Sequence, residues 1–95
     1  MNKYEAMLIV KPDLPEEEKK ALFHQIDETI TKHQGVIAQS GIWAEKRKLL
    51  FPINKYMEGA YYLLNFSSPP LAITDIRHAY RLNEGILRVL ITKLE

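Results

Sequence analysis

The residues best suited to binding chemistry form a basic run near the middle of the chain. Lys46, Arg47 and Lys48 are consecutive and precede an apolar, proline-containing segment, Leu49–Ile53. In an extended strand Lys46 and Lys48 point to one side and Arg47 to the other, so one side can neutralise phosphates while the other anchors to the fold. The same run also fits solvated charges that keep an edge strand from aggregating. The pattern alone does not choose between these interpretations.

The positive charge of the chain is local. Its 95 residues carry a formal net charge of +1. Residues 36–57 hold four basic side chains against Glu45, whereas residues 1–35 sum to −2 and residues 58–95 to 0. A protein that binds a polyanion over its whole surface would be far more basic. We therefore expect any nucleic-acid contact to occupy one small patch.

Side chains that commonly catalyse reactions are scattered. There is no cysteine, and His24, His33 and His78 are too far apart in sequence to predict a metal site. Glu16–Glu18 is typical of the first turn of a helix, where carboxylates meet the positive end of the helix dipole. Ser67-Ser68, ahead of two prolines, predicts a helix cap. We expect no enzyme activity, no metal, no cofactor and no small-molecule substrate.

The sequence contains no membrane or export signal. No apolar run approaches the roughly 20 residues that span a bilayer. Glu5 interrupts what would be the core of a signal peptide. We expect a soluble, intracellular protein without a membrane partner.

Apolar periodicity predicts alternating strands and helices. Leu22, Ile26 and Ile30 form a helical stripe that Gly35 should end as a left-handed cap. The predicted elements, in order, are strand Tyr4–Val10, a helix from Pro15, a strand from Val36 with Pro52 at an edge or loop, strand Ala60–Phe66, a helix with Leu71, Ile76, Ala79, Tyr80 and Leu82 on its inner face, and strand Ile86–Leu94. This order predicts one α+β domain, residues 1–95: a ferredoxin-like βαββαβ sandwich, with a four-stranded antiparallel sheet and two helices on one face.

The sheet face without helices should be apolar. Strand Ala60–Phe66 is apolar on both faces, and so is the last strand. An exposed apolar patch commonly marks a partner site, although single apolar residues on a surface are also ordinary. The predicted partner-binding residues are Tyr61, Leu63, Val89 and Ile91.

Fold alone does not choose a function. An acylphosphatase-like enzyme needs a glycine-rich anion loop after the first strand, where this chain has Lys11–Pro15 without glycine. An RNA recognition motif needs a basic residue, glycine and alternate aromatics on its third strand. Here Gly59 and Tyr62 fit that pattern, but Glu58 does not. We therefore do not expect base stacking on the sheet to dominate.

Several motifs together resemble the bacterial-type small-subunit ribosomal protein S6 family. The matching motifs are Lys3-Tyr4-Glu5, Leu8-Ile9-Val10 with Pro12, Arg47-Lys48-Leu49 with Phe51-Pro52-Ile53 and Lys55, Gly59 with Tyr61-Tyr62, and Ile86–Val89 with Lys93. Their order is similar to the family's over nearly the whole chain. Glu45-Lys46 departs from it, since a glycine is expected there.

The resemblance implies a non-enzymatic structural constituent of the cytoplasmic ribosome, or of an organellar one. It implies binding to the central domain of small-subunit ribosomal RNA, cooperatively with ribosomal protein S18 as a heterodimer. Carried over by position, Lys3, Arg47, Lys48 and Arg88 become RNA contacts, to which the basic run adds Lys46 and Lys55.

A second hypothesis comes from a different class of protein. A small regulatory ferredoxin-like module could self-associate through its open sheet and bind a metabolite. Co-sedimentation with ribosomes separates the two hypotheses.

Overall fold

The computed structural model describes residues 1–53 and 55–94. These residues form β1 (Asn2–Val10), α1 (Glu16–Lys32), β2 (Val36–Ile53), β3 (Tyr56–Ser68), a 3₁₀ turn (Pro70–Ala72), α2 (Ile73–Arg81) and β4 (Ile86–Lys93). The sheet order is β2-β3-β1-β4, and each neighbouring pair is antiparallel. The predicted ferredoxin-like βαββαβ fold is confirmed.

The core lies between the two helices and one face of the sheet. Helix α1 contributes Leu22, Ile26 and Ile30, which recur every four residues, and α2 contributes Ile76 and Tyr80. The sheet contributes alternate residues of its two central strands: Tyr4, Ala6, Leu8 and Val10 from β1, and Ala60, Tyr62, Leu64 and Phe66 from β3. Because strand side chains alternate between faces, the residues between these ones form the opposite, open face.

The ends of the helices differ from the prediction. The residue with left-handed backbone geometry after α1 is Gln34, with φ of 68°, and not Gly35. Gly35 is needed for a steric reason: a larger residue would collide with Ile30, because a Cβ at this position would lie 2.6 Å from Cγ2 of Ile30. Ser67 and Ser68 continue β3 and do not cap a helix; the Ser68 hydroxyl donates to the carbonyl oxygen of Pro69.

Fewer residues of the second helical segment are buried than predicted. Ile76 and Tyr80 are buried, whereas Leu71 and Leu82 are 92% and 69% exposed. Leu71 belongs to the 3₁₀ turn and Leu82 follows the last helical residue. A nine-residue helix therefore directs one i, i+4 pair onto the sheet.

The face predicted for Val89 and Ile91 is wrong. They lie opposite Leu8 and Ala6 and pack against the core on the helix side. Leu90, between them, and Arg88, just before Val89, face the open side. Alternation in β4 defines two sets of side chains, but the pairing register with β1 decides which set meets the helices.

Strand β2 runs as an edge strand through Pro52, as expected for a proline that cannot donate to a ladder. Its pairing with β3 is irregular at four places, including the steps from Ile42 to Ala44 and from Ala44 to Arg47. Strand β1 ends at Val10, opposite Ala60. The β2–β3 hairpin therefore continues beyond β1, and it carries the basic run.

Candidate nucleic-acid interface

The open face of the sheet carries two adjacent rows of side chains across strands β3, β1 and β4. One row is Leu63, Met7 and Leu90, and the next is Tyr61, Ile9 and Arg88. Leu90 is 60% exposed. We call the five residues of these rows other than Arg88, together with Trp43, the open-face patch. It is an apolar surface on the side of the sheet away from both helices.

Arg47 borders the open-face patch on the β2 side. Its Cζ lies 4.5 Å from the ring centroid of Trp43 and 6.0 Å from that of Tyr61. The two rings meet edge-on, with centroids 5.5 Å apart and planes at 66°. These distances are within the range of cation–π contacts. Arg47 and Arg88 therefore flank the same apolar surface from opposite edges.

The patch is recessed in two places. One hollow, of about 570 Å³, is lined by Trp43, Arg47, Lys48 and Tyr61 together with Met7, Leu49 and Leu50. The other shares Met7 and Tyr61 with it and adds Arg88 and Leu90. Both are open, so the surface suits contact with a macromolecule better than enclosure of a small ligand.

The patch continues towards a polar group without a partner. Asn65 follows Leu63 on the same face of β3. Its Oδ1 is buried, and the described residues offer it no hydrogen-bond donor. Since buried polar atoms are ordinarily hydrogen-bonded, this acceptor is an exception on the open side of the sheet.

The other predicted basic residues lie in three places. Lys46 and Lys48 are exposed on the β2–β3 hairpin, with Lys48 opposite Glu58. Lys55 is exposed at the turn and has a φ of 71°. Lys3 lies on the open face but opposite Ser67, six residues along β1 from Ile9. At the rise of a strand this is about 20 Å, so the structure does not bring Lys3 together with Arg47 or Arg88.

The basic side chains have no acidic partner within the described part of the chain. Among the described residues, the one contact within 4 Å between a basic and an acidic side chain joins His24 Nε2 to Glu28 Oε2 on α1 over 3.3 Å, a pair that was not predicted from the sequence. The cations near the open-face patch are thus not neutralised internally. They remain able to contact phosphates.

The groups with perturbed ionisation lie on the other side of the sheet. Burial raises the pKa of the Tyr62 phenol, whose hydroxyl donates to Asp27 over 2.9 Å, and the Asp27 charge adds to the effect. Burial also raises the pKa of Tyr80, which donates to the carbonyl oxygen of Ile26. Both hydroxyls tie helix α1 to its neighbours. Among residues 1–53 and 55–94, no three His, Cys, Asp or Glu side chains cluster to hold a metal ion.

Sequence reasoning missed four residues of the open-face patch. Met7 and Ile9 alternate with the core residues of β1, so alternation could have predicted that they face the open side. Leu90 alternates in the same way with Val89 and Ile91. Trp43 sits at a pairing irregularity of β2, so alternation does not give its direction. Of the predicted partner residues, Tyr61 and Leu63 lie on the open face.

Comparison with known proteins decides the family. Residues 3–93 match the model of the family described as ribosomal protein S6. The chain belongs to the ribosomal protein S6 family. Its members are structural proteins of the small ribosomal subunit and are not enzymes, which confirms the expected non-catalytic role. A protein of the small subunit of bacterial-type ribosomes works in the cytoplasm.

Relatives and a solved structure agree with this assignment. The chain is 40% identical over 95 residues to the small ribosomal subunit protein bS6 of Caldanaerobacter subterraneus, and covers 99% of it. It is also 40% identical to bS6 of Helicobacter pylori strain 26695, of whose length it spans 66%. The crystal structure of 30S ribosomal protein S6 from Thermotoga maritima superimposes with a TM-score of 0.90 at 26% identity, covering 98% of this chain and 87% of that one.

The family assignment separates the two hypotheses that the sequence left open. Relatives that match the whole chain are small-subunit ribosomal proteins, which favours the ribosomal hypothesis over a metabolite-binding module. No helix in the described ranges is both long and apolar enough to cross a bilayer.

Proposed function

We propose that this S6-family chain binds the central domain of small-subunit ribosomal RNA together with ribosomal protein S18, with which it forms a heterodimer. The observation that carries the proposal is the open-face patch, an exposed apolar surface bordered by Arg47 and Arg88. Apolar surface suits a protein partner, and cations at its border suit RNA phosphates.

The protein partner would cover the centre of the patch. Tyr61, Leu63 and Leu90 offer apolar contact there. Covering the patch removes apolar area from water, the main favourable contribution to association. Val89 and Ile91, which pack on the helix side, have no part in this contact.

The RNA would follow the β2 edge and the border of the patch. Arg47, Lys48 and Arg88 are the central contacts, with Lys46 and Lys55 extending them along the hairpin. Lys3 would meet a separate part of the RNA, because it lies about 20 Å along the sheet. A net charge of +1 gives weak electrostatic affinity alone, so binding together with S18 becomes part of the mechanism.

A salt titration tests the RNA contact. Arg47→Ala should weaken binding to a central-domain transcript in the presence of S18, and it should lower the slope of log K against log[salt] by about 0.9, the contribution of one phosphate contact. Filter binding at several salt concentrations measures both quantities. Arg81→Ala, an exposed arginine at the end of α2, is the matched control and should leave the slope unchanged.

An unchanged slope in Arg47→Ala would contradict the assignment of Arg47 to a phosphate. Equal losses in Arg47→Ala and Arg81→Ala would mean that general charge, and not this border of the patch, governs binding.

A further inference from the structure

Arg47 differs from the other predicted RNA contacts in how it is held. Its guanidinium lies over the Trp43 ring at 4.5 Å and near the Tyr61 ring at 6.0 Å. The other cation–π contact in the described ranges joins Lys11 to Tyr56, and Lys11 is not one of the six predicted RNA contacts. Within the described chain, Arg47 is therefore the one predicted RNA contact whose side chain rests on an aromatic surface.

The irregular pairing of β2 produces this arrangement. Ile42 pairs with Tyr62 and Ala44 with Tyr61, so Trp43 occupies an extra position between them. Such an insertion can redirect a side chain, and Trp43 turns onto Tyr61 on the open face. Arg47 pairs with Gly59, where a Cβ would collide with Cγ2 of Ile9. The space over Gly59 is therefore filled by Ile9, and the Arg47 guanidinium lies over the Trp43 ring.

Stacking leaves the hydrogen-bonding edge of Arg47 available. A guanidinium is planar, and its five N–H donors point outward in that plane. Among the described residues, no side-chain hydrogen bond uses a donor of Arg47 while its Cζ lies 4.5 Å from the Trp43 ring centroid. No carboxylate in the described part of the chain forms an ion pair with Arg47. The donors can therefore meet a phosphate without first leaving a competing partner.

We infer that Trp43 is the positioning residue for Arg47, holding its guanidinium face-on so that the donor edge is oriented towards RNA before binding. This rests on the proposed function, since it assumes that Arg47 contacts a phosphate. A free arginine side chain loses many rotamers when it binds, and holding it in advance reduces that loss. Trp43 is 51% exposed, so its replacement should affect Arg47 more than the core.

A double-mutant cycle tests the inference with filter binding to the central-domain transcript in the presence of S18. Trp43→Leu should weaken binding about two- to fivefold, the range of an exposed cation–π contact, without changing the salt slope, because the charge remains. Trp43→Phe should recover most of the loss, since phenylalanine still offers a ring face. In the Arg47→Ala background, Trp43→Leu should have no further effect.

Three outcomes would overturn the inference. Equal losses from Trp43→Leu with and without Arg47 would mean that Trp43 contacts RNA or S18 directly. Unchanged affinity in Trp43→Leu would mean that stacking does not prepare Arg47. If Arg47→Ala changes neither affinity nor slope, the proposed RNA contact fails, and the positioning role fails with it. Chemical unfolding of Trp43→Leu and Trp43→Phe checks that both variants fold.

Discussion

Tyr61 and Tyr62 are neighbours in sequence on opposite faces of the same strand. Tyr62 is 5% exposed, stacks on Phe23 with ring centroids 4.6 Å apart, and donates to Asp27. Tyr61 is half-buried and meets Trp43 edge-on beside Arg47. The helix side uses its aromatic residue to join elements of the fold. On the open side Tyr61 lies beside Arg47, a cation that has no ion pair among the described residues.

The two faces differ in whether their polar groups have hydrogen-bond partners and their apolar groups are buried. On the helix side, Tyr62 and Tyr80 both have hydrogen-bond partners within the chain. On the open side, Asn65 Oδ1 is buried without a donor among the described residues, and Leu90 stays 60% exposed. Buried groups that are hydrogen-bonded stabilise a fold, whereas exposed apolar surface commonly marks an interface. The helix side should therefore dominate stability and the open side association.

The largest expected contrast comes from matched leucines on the two faces. Leu64→Ala removes a side chain that is 1% exposed and should lower the free energy of unfolding by about 2–5 kcal/mol, through lost burial and the cavity it leaves. Leu63→Ala, one residue earlier on the open face, should cost less than about 1 kcal/mol. Urea unfolding of both variants measures the difference. Similar losses would mean that the open face is as well packed as the core.

The second largest effect should be a fall in the free energy of unfolding at alkaline pH, caused by the buried tyrosines on the helix side. Burial raises the pKa of Tyr62 and Tyr80 above the ordinary value of 10.0. Above about pH 10 the unfolded chain therefore loses phenolic protons that the folded chain keeps. Stability present below that pH should then fall as pH rises, by up to about 1.4 kcal/mol per pH unit for each such tyrosine.

Urea unfolding between pH 9 and 11 measures this slope. Tyr62→Phe should reduce the slope and cost about 1 kcal/mol at neutral pH through loss of the hydrogen bond to Asp27. An unchanged slope in Tyr62→Phe would mean that Tyr62 does not cause the loss of stability at alkaline pH.

The smallest effect on stability is expected for a substitution on the open-face patch that nevertheless prevents binding to S18. Leu90→Asp places a charge on the open-face patch and should change the free energy of unfolding by less than about 0.5 kcal/mol, because Leu90 is already exposed. It should nevertheless abolish co-sedimentation with S18. Leu82→Asp, 69% exposed beyond the end of α2, is the matched control and should retain the complex. Retention by both variants would exclude the patch as the S18 contact.

The fold and most core residues were predictable because their signals are local. The i, i+4 spacing of Leu22, Ile26 and Ile30 defines a buried helix stripe, and alternation in β3 separates Tyr61 and Leu63 from Tyr62 and Leu64. Each pattern repeats within a few residues, so it is readable without knowing what packs against it. The helix ends were less predictable: Gln34, and not Gly35, takes the left-handed conformation after α1, and Leu71 lies in the 3₁₀ turn before α2 and is exposed.

By itself, the sequence determined the order of strands and helices, the two-faced apolar pattern of β3 and the local basic run. The tertiary structure decided which alternate set of β4 meets the helices, since the register of Val89 against Leu8 joins residues far apart in the chain. It also decided that Lys3 stands apart from the other cations and that Trp43 turns onto Tyr61 beneath Arg47. Periodicity reports only the direction of a side chain relative to its neighbours, whereas pairing between distant strands fixes which groups finally meet.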